Sequence, residues 1–390
     1  MSFNNLNKKK EVLSMKNVPV YRPLIDNSDL DAVKNIVSEA WLGQGKYVKD
    51  FEDKISSFLK NPQRKVVSVS TGTSAAHLAL LAANVKKNDE VIVSSLNFVG
   101  VAQAISATGA KPIFCDVNKD NLTLDVYEAS KLITKKTKAI ITLDFGSNHC
   151  DIDNFLEIGK VNNIRIVHDA AHSFGWKNKG RPTGSFGDMT FFSFDPVKNF
   201  TAIDAGAIVL NDSEEQKWLI ESRTVGQSLD MGTYGKNLKM EFKQVDHIGF
   251  RYHLSNVHAV LGMNQLDKFD KIYQSRKKSS ELYNKEFEKI SSIEPISSSY
   301  DDIIPFIYVV RIKDGSREKL RKYLSDNGIE THVHWAPIHW YNMYKSEKID
   351  RDLKITNKVG LEILTLPLHS CMNESEQSYV IDKIKAFYKY

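Results

Sequence analysis

At 390 residues, 42% of them hydrophobic, the chain is long enough to bury a large core and a second, smaller one. Its formal net charge of +5 is small for that length, and no Lys/Arg block stands out beyond Lys8-Lys9-Lys10, which argues against a nucleic-acid partner. No apolar run approaches the roughly 18 residues a membrane span needs. Cys115, Cys150 and Cys371 are widely spaced and lack CxxC pairing, the pattern of reduced structural thiols in a cytoplasmic protein rather than of a metal site.

In chain order, residues 1–17 form a polar leader with no apolar h-region, so they read as a solvated tail and not a secretory signal. From Val18 to Phe58 a Pro-containing lead runs into two helical patterns. The first has Leu30, Val33 and Val37 at helical spacing behind Asn27-Ser28 as a cap. Gly43 and Gly45, in WLGQGKYVKDFE, supply flexible backbone for either an inter-helix loop or a substrate contact. A strand over Val66–Ser70, the turn TGTS and a helix over Ala75–Val85 make the first βα unit. Small residues at such a turn leave the helix-start N–H groups free to meet an anion, so Gly72, Thr73 and Ser74 form a candidate phosphate cradle.

Further units follow: a strand over Glu90–Ser95 with Phe98 at its junction with a helix, a strand over Lys111–Val117, a helix near Tyr127–Ile133, a strand over Ala139–Asp144 and a helix over Ile152–Gly159. This rhythm predicts an α/β fold with a mostly parallel sheet and helices on both faces. His149, in the loop after a strand end, reads as a solvated histidine.

The stretch Arg165–Leu210 organises the rest. A strand ends in an acid (Arg165–Asp169), a Gly-rich connection follows, then a second strand (Met189–Phe194), Lys198 and a third apolar run (Gly206–Leu210). Strand ends are where an α/β sheet presents reactive side chains. Pyridoxal phosphate needs a lysine to bond its aldehyde and a carboxylate to keep its ring nitrogen protonated, and Lys198 and Asp169 can play those parts.

The residues around them carry a resemblance. VHDAAHSFG, then GSFGD, then FFSFDPVKNFT is similar to the linked signature of the DegT/StrS sugar aminotransferases, fold-type I pyridoxal phosphate enzymes, and the likeness runs from Val18 to Phe387. The resemblance implies that Lys198 carries the cofactor and that Asp169 pairs with its ring nitrogen. It also implies that Phe98 stacks on the ring, and that Gly72, Thr73, Ser74 and Ser193 hold the phosphate. His172 stands where the family often has a glutamine bonded to the phenolic oxygen; His can donate there too, subject to its protonation. TAIDAG departs from the family's TxGEGG at Asp204 and Ala205, which leaves that carboxylate's contacts open. In GFRYHLSNVHAVLGMNQLDKFD, Arg251 takes the place of an Asn that reaches the neighbouring subunit's cofactor phosphate, which implies a homodimer with shared sites. His334 and His339, within a match to GIxTxVHYxPLH, either point to the sugar or pack at a domain interface.

Beyond a helix around Trp218–Glu221, the segment Gly226–Gly249 is long and Gly-dotted, hence functional or disordered. A long helix from Val257 to about Phe287 leads to an α+β remainder: strands over Pro305–Ile312 and Ile329–Trp335, a helix ended by Gly328, and a closing helix over Glu374–Phe387. The expected division is a cofactor-binding domain over 18–250 and a linking helix plus small domain over 251–390. The implied reaction moves an amino group from glutamate to a nucleotide-linked 4-keto-6-deoxyhexose, with dTDP-4-amino-4,6-dideoxyglucose formation the best match and a C3 ketosugar the nearest rival. Lys198 argues against a dehydratase branch that has His in its place, and Asp169 with Lys198 argues against a non-catalytic regulator.

Overall fold

A computed structural model of the chain describes residues 17–227, 245–297, 299–346, 349 and 352–389. All but Asn17 of the polar leader, and residues 228–244 of the Gly-dotted segment, lie outside the described residues. Among those described, no helix is long and apolar enough to cross a membrane.

A seven-stranded sheet is built from β1 (Lys65–Val69), β2 (Glu90–Ser94), β3 (Lys111–Cys115), β4 (Thr137–Leu143), β5 (Arg165–Asp169), β8 (Met189–Ser193) and β9 (Gly206–Leu210), with the small hairpin β6 (Lys177–Asn178) and β7 (Arg181–Pro182) between. The order is β1-β9-β8-β5-β4-β2-β3, and all neighbours are parallel except those that flank β9. Period-two alternation sorts the side chains. Val91, Val93, Ala139, Ile141, Val167, Met189, Phe191 and Ile208 face α3 (Gly72–Ala82) and α4 (Val99–Ala107). Ile92, Ile140 and Ile166 face α6 (Ile152–Asn162), while Val66, Phe192 and Val209 pack towards α2 (Lys46–Phe58). Burial on both faces explains why these strands read as near-continuous apolar runs.

A second sheet, β10 (Ile293–Pro295), β11 (Tyr308–Ile312) and β12 (Ile363–Leu366), is antiparallel. It shares a core with α10 (Arg317–Asp326), α12 (Glu374–Tyr388) and the end of α9 (Phe269–Phe287), through Leu320, Leu324, Val380, Ile384, Tyr283 and Phe287.

Three expectations are corrected. The helix α1 (Asn27–Ser38) is capped by Asp26 in a capping box with Asp29, and it buries Asp29 and Ile36, whereas Leu30 and Val37 are exposed. A buried acid won the inner face because Lys268 Nζ reaches Asp29 at 2.5 Å and Asp26 at 2.7 Å, and Gln265 Nε2 donates to Asp29 as well. The long helix is two helices, α8 (Asn256–Asp267) and α9, broken at Lys268, whose φ of −96° and ψ of 6° leave the helical region. Residues 329–335 are not a strand: Ile329 bridges Val18 and His332 bridges Thr365 singly, and the chain then turns to carry His334 inwards.

Candidate active site

The C-terminal ends of β4, β5 and β8 and the starts of α3 and α4 surround a cavity of about 590 Å³. Of the residues predicted for the site, Gly72, Thr73, Phe98, Asp169, His172, Ser193, Lys198 and His334 line it.

Asp169 shares the face of Val167 at the end of β5, in register with Phe191 of β8, so it enters the cavity while its neighbour His168 points to the other face. There His168 Nε2 donates to Asp144 Oδ2 at 2.9 Å, 3.7 Å from Cys150 Sγ. His149 sits beside the same Asp144 and edge-on to Trp176, away from the cavity. Asp169 is 2% exposed, and its Oδ1 accepts from Ala171 N–H at 3.1 Å. Burial pushes its pKa up, opposed by that N–H and by the Lys198 ammonium. Lys198 follows β8 in a turn in which Asp195 accepts from Val197 N–H at 3.0 Å and its carbonyl accepts from Lys198 N–H at 2.9 Å. The protein packed around the Lys198 amine pushes its pKa down, against the pull of Asp169 and Asp195.

His172 is buried, and its Nδ1 accepts from Gly146 N–H at 3.3 Å. Burial and the charge of Lys198 hold its pKa well below the ordinary value, so the ring is neutral. A neutral imidazole that accepts at Nδ1 carries its proton on Nε2, which leaves one donor.

The start of α3 is built for close approach. Thr71 and Ser74 cap one another, with Thr71 N–H donating to Ser74 Oγ at 2.9 Å and Ser74 N–H to Thr71 Oγ1 at 3.0 Å. Ser74 is thereby committed to the cap and does not line the cavity, a correction to its predicted place in the cradle. The N–H groups of Gly72 and Thr73 belong to the first turn, which has no intrahelical acceptor for them. A Cβ on Gly72 would lie 2.7 Å from Ser193 Cβ and 2.9 Å from its Oγ, so only glycine lets the start of α3 pack this closely against the end of β8.

Two predicted residues lie elsewhere. His339 is buried with Nδ1 at 2.7 Å from Ser95 Oγ and Nε2 at 3.0 Å from Asn357 Oδ1, a packing role that uses both nitrogens. Arg251 is exposed, bridges Thr224 through its backbone and does not line the cavity. His334 does line it, with Nε2 at 2.6 Å from Tyr21 Oη and Nδ1 at 2.9 Å from Thr365 Oγ1; burial pushes its pKa down to about 3.

The sequence reading assigned no role to Tyr21, Asn97, Asp195, His332 and Trp335, all of which line the cavity. Asn97 is the most telling of these: its Oδ1 accepts from Phe98 N–H at 2.6 Å, but its buried Nδ2 has no partner. Trp335 sits 5.2 Å from the half-exposed Phe98 ring. Asp204, from the altered TAIDAG run, also lines the wall.

The sequence profile of the DegT/DnrJ/EryC1/StrS aminotransferase family matches residues 23–385. The chain belongs to this family. This aminotransferase is 30% identical over 378 residues to the GDP-perosamine synthase of Escherichia coli O157:H7, covering 96% of this chain and 99% of that protein. It is 30% identical to the UDP-4-amino-4,6-dideoxy-N-acetyl-beta-L-altrosamine transaminase of Campylobacter jejuni, covering 92% of this chain and 94% of that protein. Among solved structures, the putative sugar aminotransferase Spr1654 of Streptococcus pneumoniae in its PMP-form superposes with a TM-score of 0.88 at 26% identity, covering 96% of this chain and 99% of that one. That protein has also been solved in a PLP-form. The chain is a sugar aminotransferase, and pyridoxal phosphate is the cofactor of its family.

The aminotransferase's cavity fits that cofactor. The first-turn N–H groups of α3, with Thr73 and Ser193 on the same wall, suit a phosphate; the exposed Phe98 ring suits a flat heterocycle; Asp169 suits a protonated ring nitrogen. The unpartnered amide of Asn97 marks a wall that expects a polar ligand.

Proposed function

We propose that this cytoplasmic enzyme moves an amino group from glutamate to C4 of a nucleotide-linked 4-keto-6-deoxyhexose. The observation that carries the reading is the meeting of Asp169, Lys198, His172, Phe98, Gly72 and Ser193 around one cavity, from elements spread over more than a hundred residues of sequence. Amination at C4 draws support from the name of the Campylobacter relative, a UDP-4-amino-4,6-dideoxy sugar transaminase. A Shewanella sediminis relative, 28% identical and named UDP-4-amino-4-deoxy-L-arabinose–oxoglutarate aminotransferase, supports the glutamate/oxoglutarate pair.

Bound pyridoxal phosphate supplies a carbonyl that takes up the amine and a ring that accepts electrons. The chain's part is then specific. The first-turn N–H groups of Gly72 and Thr73, with the hydroxyls of Thr73 and Ser193, would hold the phosphate. Asp169 would keep the ring nitrogen's proton in place, and the Nε2–H of His172 would donate to the phenolic oxygen. Lys198, whose burial frees part of its amine from protonation, would carry the proton between the substrate carbon and the cofactor carbon that takes up the amine.

The charge balance supports a shared site. Asp169, Asp195 and Asp204 line the cavity, and among the described residues Lys198 is the one lysine or arginine that does. A phosphate, the two carboxylates of glutamate and a diphosphate all need cations. Arg251, exposed and not among the residues that line the cavity, is the residue we assign to the partner's phosphate. Ile25, Leu30, Val37, Trp41 and Leu42 are exposed apolar side chains, and Asn256 N–H, five residues on from Arg251, donates to Leu42 O at 3.1 Å. Exposed apolar side chains of this number support an interaction face.

Incubation with glutamate and a panel of dTDP-, GDP- and UDP-linked 3- and 4-ketosugars tests the substrate. The reading expects a 4-amino product, and dTDP-4-dehydro-6-deoxyglucose is the leading acceptor; turnover of 3-ketosugars alone would overturn it. The shared site has a sharper test. Each charged hydrogen bond from Arg251 contributes about 1.5–3 kcal/mol, so Arg251→Ala weakens cofactor retention roughly tenfold to a hundredfold, at ~1.4 kcal/mol per decade. Inactive Lys198→Ala and inactive Arg251→Glu subunits, co-expressed, should form hybrids with one intact site and regain activity. Verified hybrids that stay inactive, or a fully active monomer, would sink the idea.

A further inference from the structure

Phe306 does not appear in any motif of the sequence reading, yet its ring lies against the reacting lysine. Lys198 Nζ sits 4.1 Å from the ring centroid. The same ring is 4.6 Å from the centre of His172 and stacks on Tyr21 at 6.3 Å and 12°. Phe306 is fully buried, two residues before β11, so it reaches Lys198 from the three-stranded sheet and not from the sheet that carries Asp169.

Its backbone is fixed from behind. Arg276, itself 2% exposed on α9, donates from Nη1 to the carbonyl of Phe306 at 2.9 Å and to those of Pro305 and Leu368 at 3.3 Å. Its Nε donates to Ser370 Oγ at 3.1 Å. A buried guanidinium that donates to three carbonyls and a hydroxyl leaves the Phe306 segment little freedom to shift.

We propose that Phe306 is the positioning residue of Lys198: its ring, anchored through Arg276, sets where the Lys198 amine rests in the cavity. This rests on the reading of Lys198 as the lysine that serves the cofactor. Two effects of the ring oppose one another. Its face attracts the ammonium form, while its bulk keeps water away and favours the neutral amine. Leucine at this position keeps most of the bulk and removes the face; alanine removes both.

The test uses cofactor-free enzyme, labelled with pyridoxal at a series of pH values, trapped with borohydride and read by the mass of the Lys198 peptide. In Phe306→Leu the labelling midpoint should move down by about half to one pH unit, the range of a partly desolvated cation–π contact. In Phe306→Ala it should move up as water returns. The reconstituted Leu variant should lose roughly 10- to 100-fold in kcat, as a displaced catalytic group does. Phe306→Met should behave as Leu does, so a failure of one variant to fold leaves the other to decide. A midpoint and kcat in the folded Leu or Met variant equal to the parent's would overturn the role of Phe306. Cofactor colour and turnover retained in Lys198→Ala would overturn the underlying assignment instead, so the two failures are told apart.

Discussion

Lys198→Ala purified in the presence of pyridoxal phosphate emerges without the visible absorbance of the parent enzyme and turns over no sugar above background. Loss of a positioned proton-transfer group alone removes about 10²–10⁴ of the rate, and the covalent hold on the cofactor goes with it. Misfolding does not account for the loss. Among the described residues the Lys198 amine makes no hydrogen bond or ion pair, and burial already disfavours its charge. Removing such a group should leave the melting temperature of the cofactor-free protein unchanged or higher. Retained transamination in the variant would end the assignment.

The parts of this site that were legible in the sequence are those set by local pattern. Arg165–Asp169 and Gly206–Leu210 match β5 and β9 at both ends, because short apolar runs bounded by polar or glycine residues have few other places to go in a two-sided sheet. Asp169 and Lys198 stood out because each closes or follows such a run. The start of α3 was set three residues late, at Ala75, and Ser74 was therefore given to the cradle when the mutual cap with Thr71 consumes it. The inner face of α1 was misread because Asp29 is buried by a lysine more than two hundred residues away, a pairing with no local trace. Phe306, Tyr21 and Asn97 were missed for the same reason: a phenylalanine in an apolar strand lead, a tyrosine in a Pro-containing strap and an asparagine in a loop look ordinary until the fold brings Tyr21 and Asn97 to the cavity wall and Phe306 against Lys198. Periodicity reports which face is buried, and says nothing of what the buried face touches.

Asp169→Asn is expected to keep the cofactor and lose the chemistry. The amide is the same size, and its oxygen can still accept from Ala171 N–H, so the local turn survives. The start of α3 and Ser193, which we assign to the phosphate, are untouched, and the cofactor should therefore still bind and colour the protein. What disappears is the negative charge in the buried site where a protonated ring nitrogen would sit. Removing one preorganised electrostatic group from a water-poor site costs about 10²–10³ in kcat, so turnover should fall by at least that factor with the visible band retained. The same change has a signed effect on Lys198. Asp169 raises the proton affinity of Lys198 against the opposite pull of burial. In the Asp169→Asn variant the lysine should therefore lose its proton at lower pH, and pyridoxal labelling of the cofactor-free protein should reach half-maximum below the parent's value. Stability should move the other way from activity. Burial raises the pKa of Asp169, so its favourable contribution is complete below the unfolded carboxyl value and is lost as the pH climbs through the folded one. At neutral pH the buried carboxylate is thus a net cost to the cofactor-free fold, and Asp169→Asn should melt no lower than the parent at pH 7 and lose part of that advantage as the pH is brought towards 4. A near-normal kcat in the variant would show that another group supports the ring nitrogen; a labelling midpoint that rises would show that Asp169 and Lys198 are not electrostatic neighbours in solution.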